Sequence, residues 1–117
     1  MTEVRPVRLV AISLDCPDPQ RLADFYLGLL GGRRLWAKDS SVGVEVPGAV
    51  LVAQRVEGYR PPDWPGTSIV HLDLTADDLD AAAQRAVALG ATLPEQPDTR
   101  WRVLLDPAGH PFCLTPV

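Results

Sequence analysis

Two stretches of the chain decide the fold: residues 9–32, LVAISLDCPDPQRLADFYLGLLGG, and residues 69–90, IVHLDLTADDLDAAAQRAVALG. Each stretch begins with apolar residues at every second position, which is typical of a strand with one buried face. Each continues with apolar residues at helical spacing and ends at glycine, which readily terminates a helix. The chain therefore contains an internal repeat, and each copy begins with a strand followed by a helix.

The first copy predicts a strand over residues 7–14 and a helix that begins at Pro19. Asp18 is a suitable N-cap, and proline is well tolerated at the first helical position because its missing N–H is not needed there. Gly31 follows the last apolar residue of the helix and predicts its end. Short β-rich runs separated by turn residues then predict three strands over residues 33–57.

The second copy predicts a strand over residues 68–74 and a helix over about residues 76–89. Thr75 followed by Asp78 resembles a capping box at the start of that helix. The remaining extended segments predict three short strands, over residues 91–93, 101–105 and 111–115.

The length of 117 residues suits one compact domain. The repeat divides this domain into a first module over about residues 7–57 and a second over about 68–117, joined by a linker over 58–67 that is rich in proline and glycine. One open sheet cannot bury its own face, so the two sheets are expected to close against each other. The sequence therefore predicts an α+β fold, in which two βαβββ modules form a half-barrel cleft with the helices outside.

The composition excludes several classes of function. The net charge is −4 and no basic cluster occurs, which argues against nucleic acid as a partner. No apolar run approaches the roughly 20 residues that span a bilayer, so no membrane association is expected. The N-terminus lacks a signal-like apolar stretch, and the two cysteines have no CxxC spacing. We therefore expect a cytoplasmic protein with reduced thiols.

Four segments resemble one known superfamily: the opening LVAISLDCPDP…FY, the strand IVHLDL, the helix end ALGA and the closing DPAGHPFCL. Together they resemble the vicinal oxygen chelate superfamily, which includes glyoxalase I, bleomycin- and fosfomycin-resistance proteins and extradiol dioxygenases. The small glyoxalase-like domain proteins are the most similar group. The resemblance covers nearly the whole chain, and it implies two βαβββ modules, a ligand cleft and a homodimer.

The resemblance also implies where a metal would be held. Superfamily enzymes bind a divalent ion through two histidines and a glutamate, and these positions fall on Ala11, His71 and Cys113 of this sequence. Only His71 matches, so the sequence predicts no metal cofactor. A divalent metal is the alternative: Cys113 as a thiolate would favour zinc, and Asp73, two residues from His71, would add an oxygen ligand.

His71 has two interpretations. It is either a hydrogen-bonding group or general base in the cleft, or the remnant of an ancestral metal site, in which case it hydrogen-bonds to a neighbour such as Asp73. Cys113 is either a nucleophile or a small buried apolar residue. Strand alternation adds Ser13, which shares a face with Ala11, and Gln54, which shares a face with the position aligned with Cys113.

Tryptophans supply the flat surfaces on which a planar ligand stacks. Trp101 alternates in phase with Val103, so a core position is its alternative. The predicted ligand-binding residues are His71, Asp73, Ser13, Gln54, Cys113, Trp36 and Trp101.

Three functional hypotheses follow. The first is a binding protein that holds a small molecule in the cleft without a metal. The second is a superfamily enzyme, a lyase, isomerase or dioxygenase, that uses either a metal or His71 as general base. The third is a dimeric interaction module with no ligand of its own. The sequence identifies neither the ligand nor whether a reaction is catalysed.

Overall fold

The computed structural model describes residues 8–64, 70–95 and 100–116. The elements of the first module are β1 (Ile12–Cys16), α1 (Pro19–Leu30), β2 (Arg33–Ala37), β3 (Ser41–Val46) and β4 (Ala49–Arg55). Those of the second module are β5 (Leu72–Ala76), α2 (Leu79–Leu89), β6 (Arg102–Leu105) and β7 (Pro111–Pro116). Residues 58–64, at the start of the predicted linker, form neither helix nor strand, and 65–67 lie outside the described residues.

The two modules form two small sheets with the same topology. The first has the strand order β1-β4-β3-β2 and the second the order β5-β7-β6, and in each the first strand runs parallel to the last. The predicted α+β class and the two repeated modules are confirmed. The strand predicted over residues 91–93 is reduced to one bridge between Thr92 and Leu105. Pro94 follows closely and has no N–H to extend the pairing.

Both first strands lie further along the chain than the sequence predicts. The strand expected over residues 7–14 occupies 12–16, and the one expected over 68–74 occupies 72–76, while residues 7, 68 and 69 lie outside the described residues. A strand exists only where a neighbour pairs with it, and β4 pairs with β1 from Ile12 onward. Val10 precedes this paired region and is 75% exposed, although it alternates in phase with Ile12.

The helix boundaries show where local signals suffice. As predicted, α1 starts after Asp18, whose carboxylate accepts a hydrogen bond from the backbone N–H of Arg21 at 3.2 Å, and it ends at Gly31. The predicted start of α2 is wrong, because Thr75 and Ala76 belong to β5. Asp78 alone caps that helix, accepting from the N–H of Ala81 at 3.0 Å.

One core joins the modules. Rings from α1 contact a ring of β7, with centroid distances of 5.8 Å for Phe25–Phe112 and 6.4 Å for Tyr26–Phe112. The Tyr26 hydroxyl donates to Asp106, which is 3% exposed, at 2.7 Å. Asp106 also accepts from the backbone N–H groups of Ala108 and His110, at 2.9 and 3.0 Å. We call the contact made by Tyr26, Asp106 and Phe112 the seam.

His110 extends the seam to the segment after β4. Its Nε2 lies 2.6 Å from the carbonyl oxygen of Asp15 and 3.2 Å from the Tyr59 hydroxyl, which donates to the carbonyl of Ala108 at 2.7 Å. A carbonyl only accepts, so His110 carries a proton on Nε2. This partly buried histidine therefore holds β1 and the Tyr59 segment against the turn before β7. In the described part of the chain, no helix is long and apolar enough to cross a membrane.

Candidate functional site

Strand alternation gives each sheet one face toward the helices and one face away from them. On β5, Leu72 and Leu74 are partly buried toward the helices, whereas Asp73 is exposed on the opposite face. On β7, Phe112 and Leu114 are buried by the same alternation. Asp73 of β5 therefore shares the outward face of the second sheet with Cys113 and Thr115 of β7.

This outward face carries an open pocket of about 330 Å³, the second-sheet pocket. Asp73 is paired with Cys113 across β5 and β7, and Cys113 with Val103 across β7 and β6. The lining residues are His71, Asp73, Trp101, Cys113 and Thr115. Four of the seven predicted residues thus meet in one place, and all of them come from the second module.

Thr115 was missed by the sequence reasoning. It lies two residues after Cys113 on the same strand and therefore on the same face. The alternation that pointed from His71 to Asp73 would also have found it. Its hydroxyl donates to the carbonyl oxygen of Leu74 at 3.1 Å, so its hydroxyl proton is already used within the sheet.

His71 and Asp73 form a polar pair in the second-sheet pocket. His71 Nδ1 lies 3.1 Å from an oxygen of Asp73, and both side chains are substantially exposed. Such a pairing orients an imidazole for hydrogen bonding or for general-base work through its other nitrogen. The Cys113 sulfur lies within 4.8 Å of the donor atoms of both side chains, and Cys113 is paired with Asp73 across β5 and β7.

The environment of Cys113 disfavours its thiolate. Burial raises the pKa of the thiol, and the nearby carboxylate of Asp73 raises it further. The thiolate is the nucleophilic form of cysteine. The nucleophile interpretation of Cys113 thus gains no support.

The other three predicted residues lie on the first sheet, and none of them lines the second-sheet pocket. Ser13 on β1 is exposed, and Gln54 on β4 donates to the carbonyl oxygen of Ser40 at 3.4 Å. The ring of Trp36 lies over Gly43, where a Cβ would overlap the indole. Its Nε1 donates to the Ser41 hydroxyl at 2.9 Å.

A hollow of about 400 Å³ at the start of α1 is larger but chemically less suited to a ligand. Its lining includes the cations Lys38 and Arg55 together with the carboxylates of Asp18 and Asp39. Asp18 already caps the helix. The opposite charges offset one another, so this hollow has neither a clear charge preference nor an aromatic surface.

The two sheets repeat the same strand order, and the sequence matches a family of known proteins. The glyoxalase-like domain family matches residues 11–115. The chain belongs to the glyoxalase-like domain family. No curated protein shows a significant sequence match to this glyoxalase-like domain.

Solved structures of the wider glyoxalase, bleomycin-resistance and dioxygenase superfamily have the same fold. The fosfomycin resistance protein FosX from Mesorhizobium loti is 18% identical, with a TM-score of 0.71 over 95% of this chain and 92% of that one. A glyoxalase/bleomycin resistance protein/dioxygenase family enzyme from Burkholderia phytofirmans is 21% identical, with a TM-score of 0.69 over 92% and 96%. A FosX mutant from Listeria monocytogenes, complexed with Mn(II) and a dihydroxypropylphosphonic acid, is 18% identical, with a TM-score of 0.71 over 95% and 90%.

The metal set expected for superfamily enzymes does not fit this glyoxalase-like domain. Ala11 lies immediately before β1, and its methyl side chain has no donor atom. Cys113 takes the place of the expected glutamate, and His71 is the one matching ligand. One matching ligand of three does not hold a divalent ion against water.

Proposed function

We propose that this glyoxalase-like domain binds a small organic molecule with a planar or apolar part in the second-sheet pocket, without the metal of the superfamily enzymes. One observation carries the proposal: the indole of Trp101 and the polar pair His71–Asp73 line the same open pocket of about 330 Å³. A few polar groups beside a large apolar surface are typical of small-molecule sites.

The pocket offers two kinds of interaction to a ligand. Trp101 is 45% exposed, so a planar group stacked on it would remove apolar surface from water. His71 and Asp73 are exposed and would fix the orientation of the ligand by hydrogen bonds. The free thiols of Cys16 and Cys113 are in keeping with a cytoplasmic location.

A second copy of the chain would complete the cleft. Among the described residues, β1 and β5 are edge strands, each paired on one side within its sheet. Apolar side chains are exposed just before both strands, with Leu9 at 86%, Val10 at 75% and Val70 at 72%. In a homodimer built on these edges, Ser13, Gln54 and Trp36 of one copy would approach the second-sheet pocket of the other. Exposed apolar side chains of this kind favour an interface.

Native mass spectrometry of untagged protein, purified without chelators, tests the oligomeric state and any co-purified molecule together. We expect a dimer, and a monomer at micromolar concentration would contradict the homodimer. A binding screen that follows tryptophan fluorescence then identifies ligands for titration.

His71→Ala and Trp101→Ala are expected to weaken a ligand from that screen by roughly tenfold or more, which corresponds to about 1.4 kcal/mol. Trp64→Phe is the matched control, because Trp64 lies in the segment between the modules and not in the pocket. Unchanged affinity in both pocket variants would refute the proposal.

A further inference from the structure

One carboxylate gives the second-sheet pocket its charge. Among the residues that the structure describes, the pocket lining contains Asp73 and no lysine or arginine. The Asp73 side chain is 63% exposed, so its oxygens are accessible to a ligand. His71 Nδ1 lies 3.1 Å from one of these oxygens, and a neutral imidazole donates a hydrogen bond without cancelling the negative charge. The pocket therefore attracts positive charge.

The two arginines beside Trp101 do not line this pocket. Arg102 is paired with the buried Leu114 across β6 and β7, so it lies on the helix face of the sheet. There its guanidinium is 3.1 Å from a carboxylate oxygen of Asp80 on α2. Arg100 is exposed and is not part of the lining.

The other polar groups of the lining add acceptors but no positive charge. Burial and the nearby Asp73 carboxylate raise the pKa of the Cys113 thiol, so the thiol is uncharged at neutral pH. The Thr115 hydroxyl donates to the carbonyl oxygen of Leu74, which leaves its own oxygen as an acceptor. Carboxylate and hydroxyl oxygens suit a ligand that donates N–H groups.

An indole shares the pocket with this carboxylate. Trp101 is 45% exposed and lines the pocket. The face of an indole attracts cations more strongly than the other aromatic side chains do, and planar groups also stack on it. An indole and a carboxylate in one pocket together favour a planar cation and disfavour an anion of the same shape.

We propose that the ligand of the second-sheet pocket is an organic cation, an amidinium or protonated amine carried on a planar ring. The charged group binds Asp73 and the ring lies against Trp101. This inference rests on the proposed function, because it names the class of ligand for the same pocket.

Benzamidine, benzamide and benzoate test the proposal, because they have nearly the same shape and differ in charge. At about pH 8 the first is a cation, the second is neutral and the third is an anion, while free imidazole is neutral. Titration followed by the NMR signals of the tryptophan indole N–H groups measures each affinity and locates the binding. We expect benzamidine to shift the Trp101 signal and to bind at least about fivefold more tightly than benzamide, with benzoate the weakest.

Asp73→Asn separates the charge of the pocket from the charge of the whole protein, whose net value of −4 attracts any cation. Asp24→Asn is the matched control, because Asp24 is 60% exposed and lies on α1, outside the pocket. We expect Asp73→Asn to reduce the preference for benzamidine over benzamide to less than about twofold, and Asp24→Asn to leave it unchanged. Circular dichroism confirms that each variant folds.

Three results would overturn the proposal. They are equal affinity of the three compounds for the parent protein, an unchanged preference in Asp73→Asn, and no shift of the Trp101 signal by benzamidine at millimolar concentration. Equal affinities that Trp101→Ala abolishes contradict only the cation and leave the proposed function in place. The proposed function itself fails only if the ligands from the wider screen bind the pocket variants as tightly as the parent.

Discussion

The outward faces of the two sheets occupy equivalent positions in the repeat but differ in chemistry. In the first sheet, Ser13, Val52 and Gly43 are paired side by side across β1, β4 and β3. In the second sheet, the corresponding row across β5, β7 and β6 is Asp73, Cys113 and Val103. The repeat therefore supplies the same scaffold twice, and the cluster of polar and thiol groups is built on only one copy.

The two faces also differ in how an indole is placed. The first sheet has a complete fourth strand, β2, from which Trp36 lies over the bare backbone of Gly43. In the second sheet the corresponding strand is one bridge at Thr92, and Trp101 lines the pocket from the residue before β6. One tryptophan thus covers its sheet, while the other borders an open pocket.

The two modules also differ in the turn that precedes the last strand, and a substitution in this turn is expected to have the largest effect on stability. The turn in the first module, at Pro47 and Gly48, is exposed, whereas Asp106 in the second is buried and accepts three hydrogen bonds. Asp106→Ala should lower the free energy of unfolding by about 3 kcal/mol, because buried donors without an acceptor cost about 1–3 kcal/mol each. Urea denaturation measures the loss.

Pro47→Ala is the control for that measurement, and it should change the free energy of unfolding by less than about 1 kcal/mol. A loss of under about 1 kcal/mol in Asp106→Ala would mean that the seam does not depend on its buried carboxylate.

Gly43→Val tests the covered face by giving the first sheet the residue that the second has in Val103. The new side chain must displace the Trp36 indole, so we expect a loss of about 1–3 kcal/mol. Tryptophan emission should shift to longer wavelength as the ring becomes more exposed. If the clash is the cause, Gly43→Val should cost clearly less in a Trp36→Ala background, and an equal cost in both backgrounds would disprove it.

Local signals predicted those parts of the fold that local interactions determine. Asp18, Pro19 and Gly31 fix the ends of α1 through contacts within a few residues, and this prediction is confirmed. The starts of β1 and β5 depend instead on where β4 and β7 begin to pair with them, which lies far away in the sequence. The same pairing places Ala76 opposite Pro116 and leaves Asp78 as the cap of α2.

Only part of the candidate site was predictable from the sequence, namely the face of the strand on which each residue lies. Alternation places His71, Asp73 and Cys113 on one face, and the structure brings them together. Alternation states which face a side chain occupies but not how two sheets are placed relative to each other. It therefore could not show that Ser13 and Gln54 lie apart from this pocket within one chain.

The smallest expected effect concerns the pH dependence of the seam. Burial raises the pKa of Asp106 from its ordinary value of 3.8, although hydrogen bonds from Tyr26, Ala108 and His110 and the charge of His110 act in the opposite direction. The folded state therefore binds a proton more tightly than the unfolded state does. The stability that comes from this group is fully present below about pH 3.8 and is lost as the pH rises through the pKa of the folded state.

Asp106→Asn removes this titration while keeping an acceptor for the two backbone N–H groups. Other carboxylates titrate in both proteins, so the informative quantity is the difference between their free energies of unfolding. The stability of the parent relative to Asp106→Asn should fall as the pH rises from about 4 toward neutral. Urea denaturation of both proteins across this range measures the difference, and a constant or rising difference would show that burial does not govern the ionisation of Asp106.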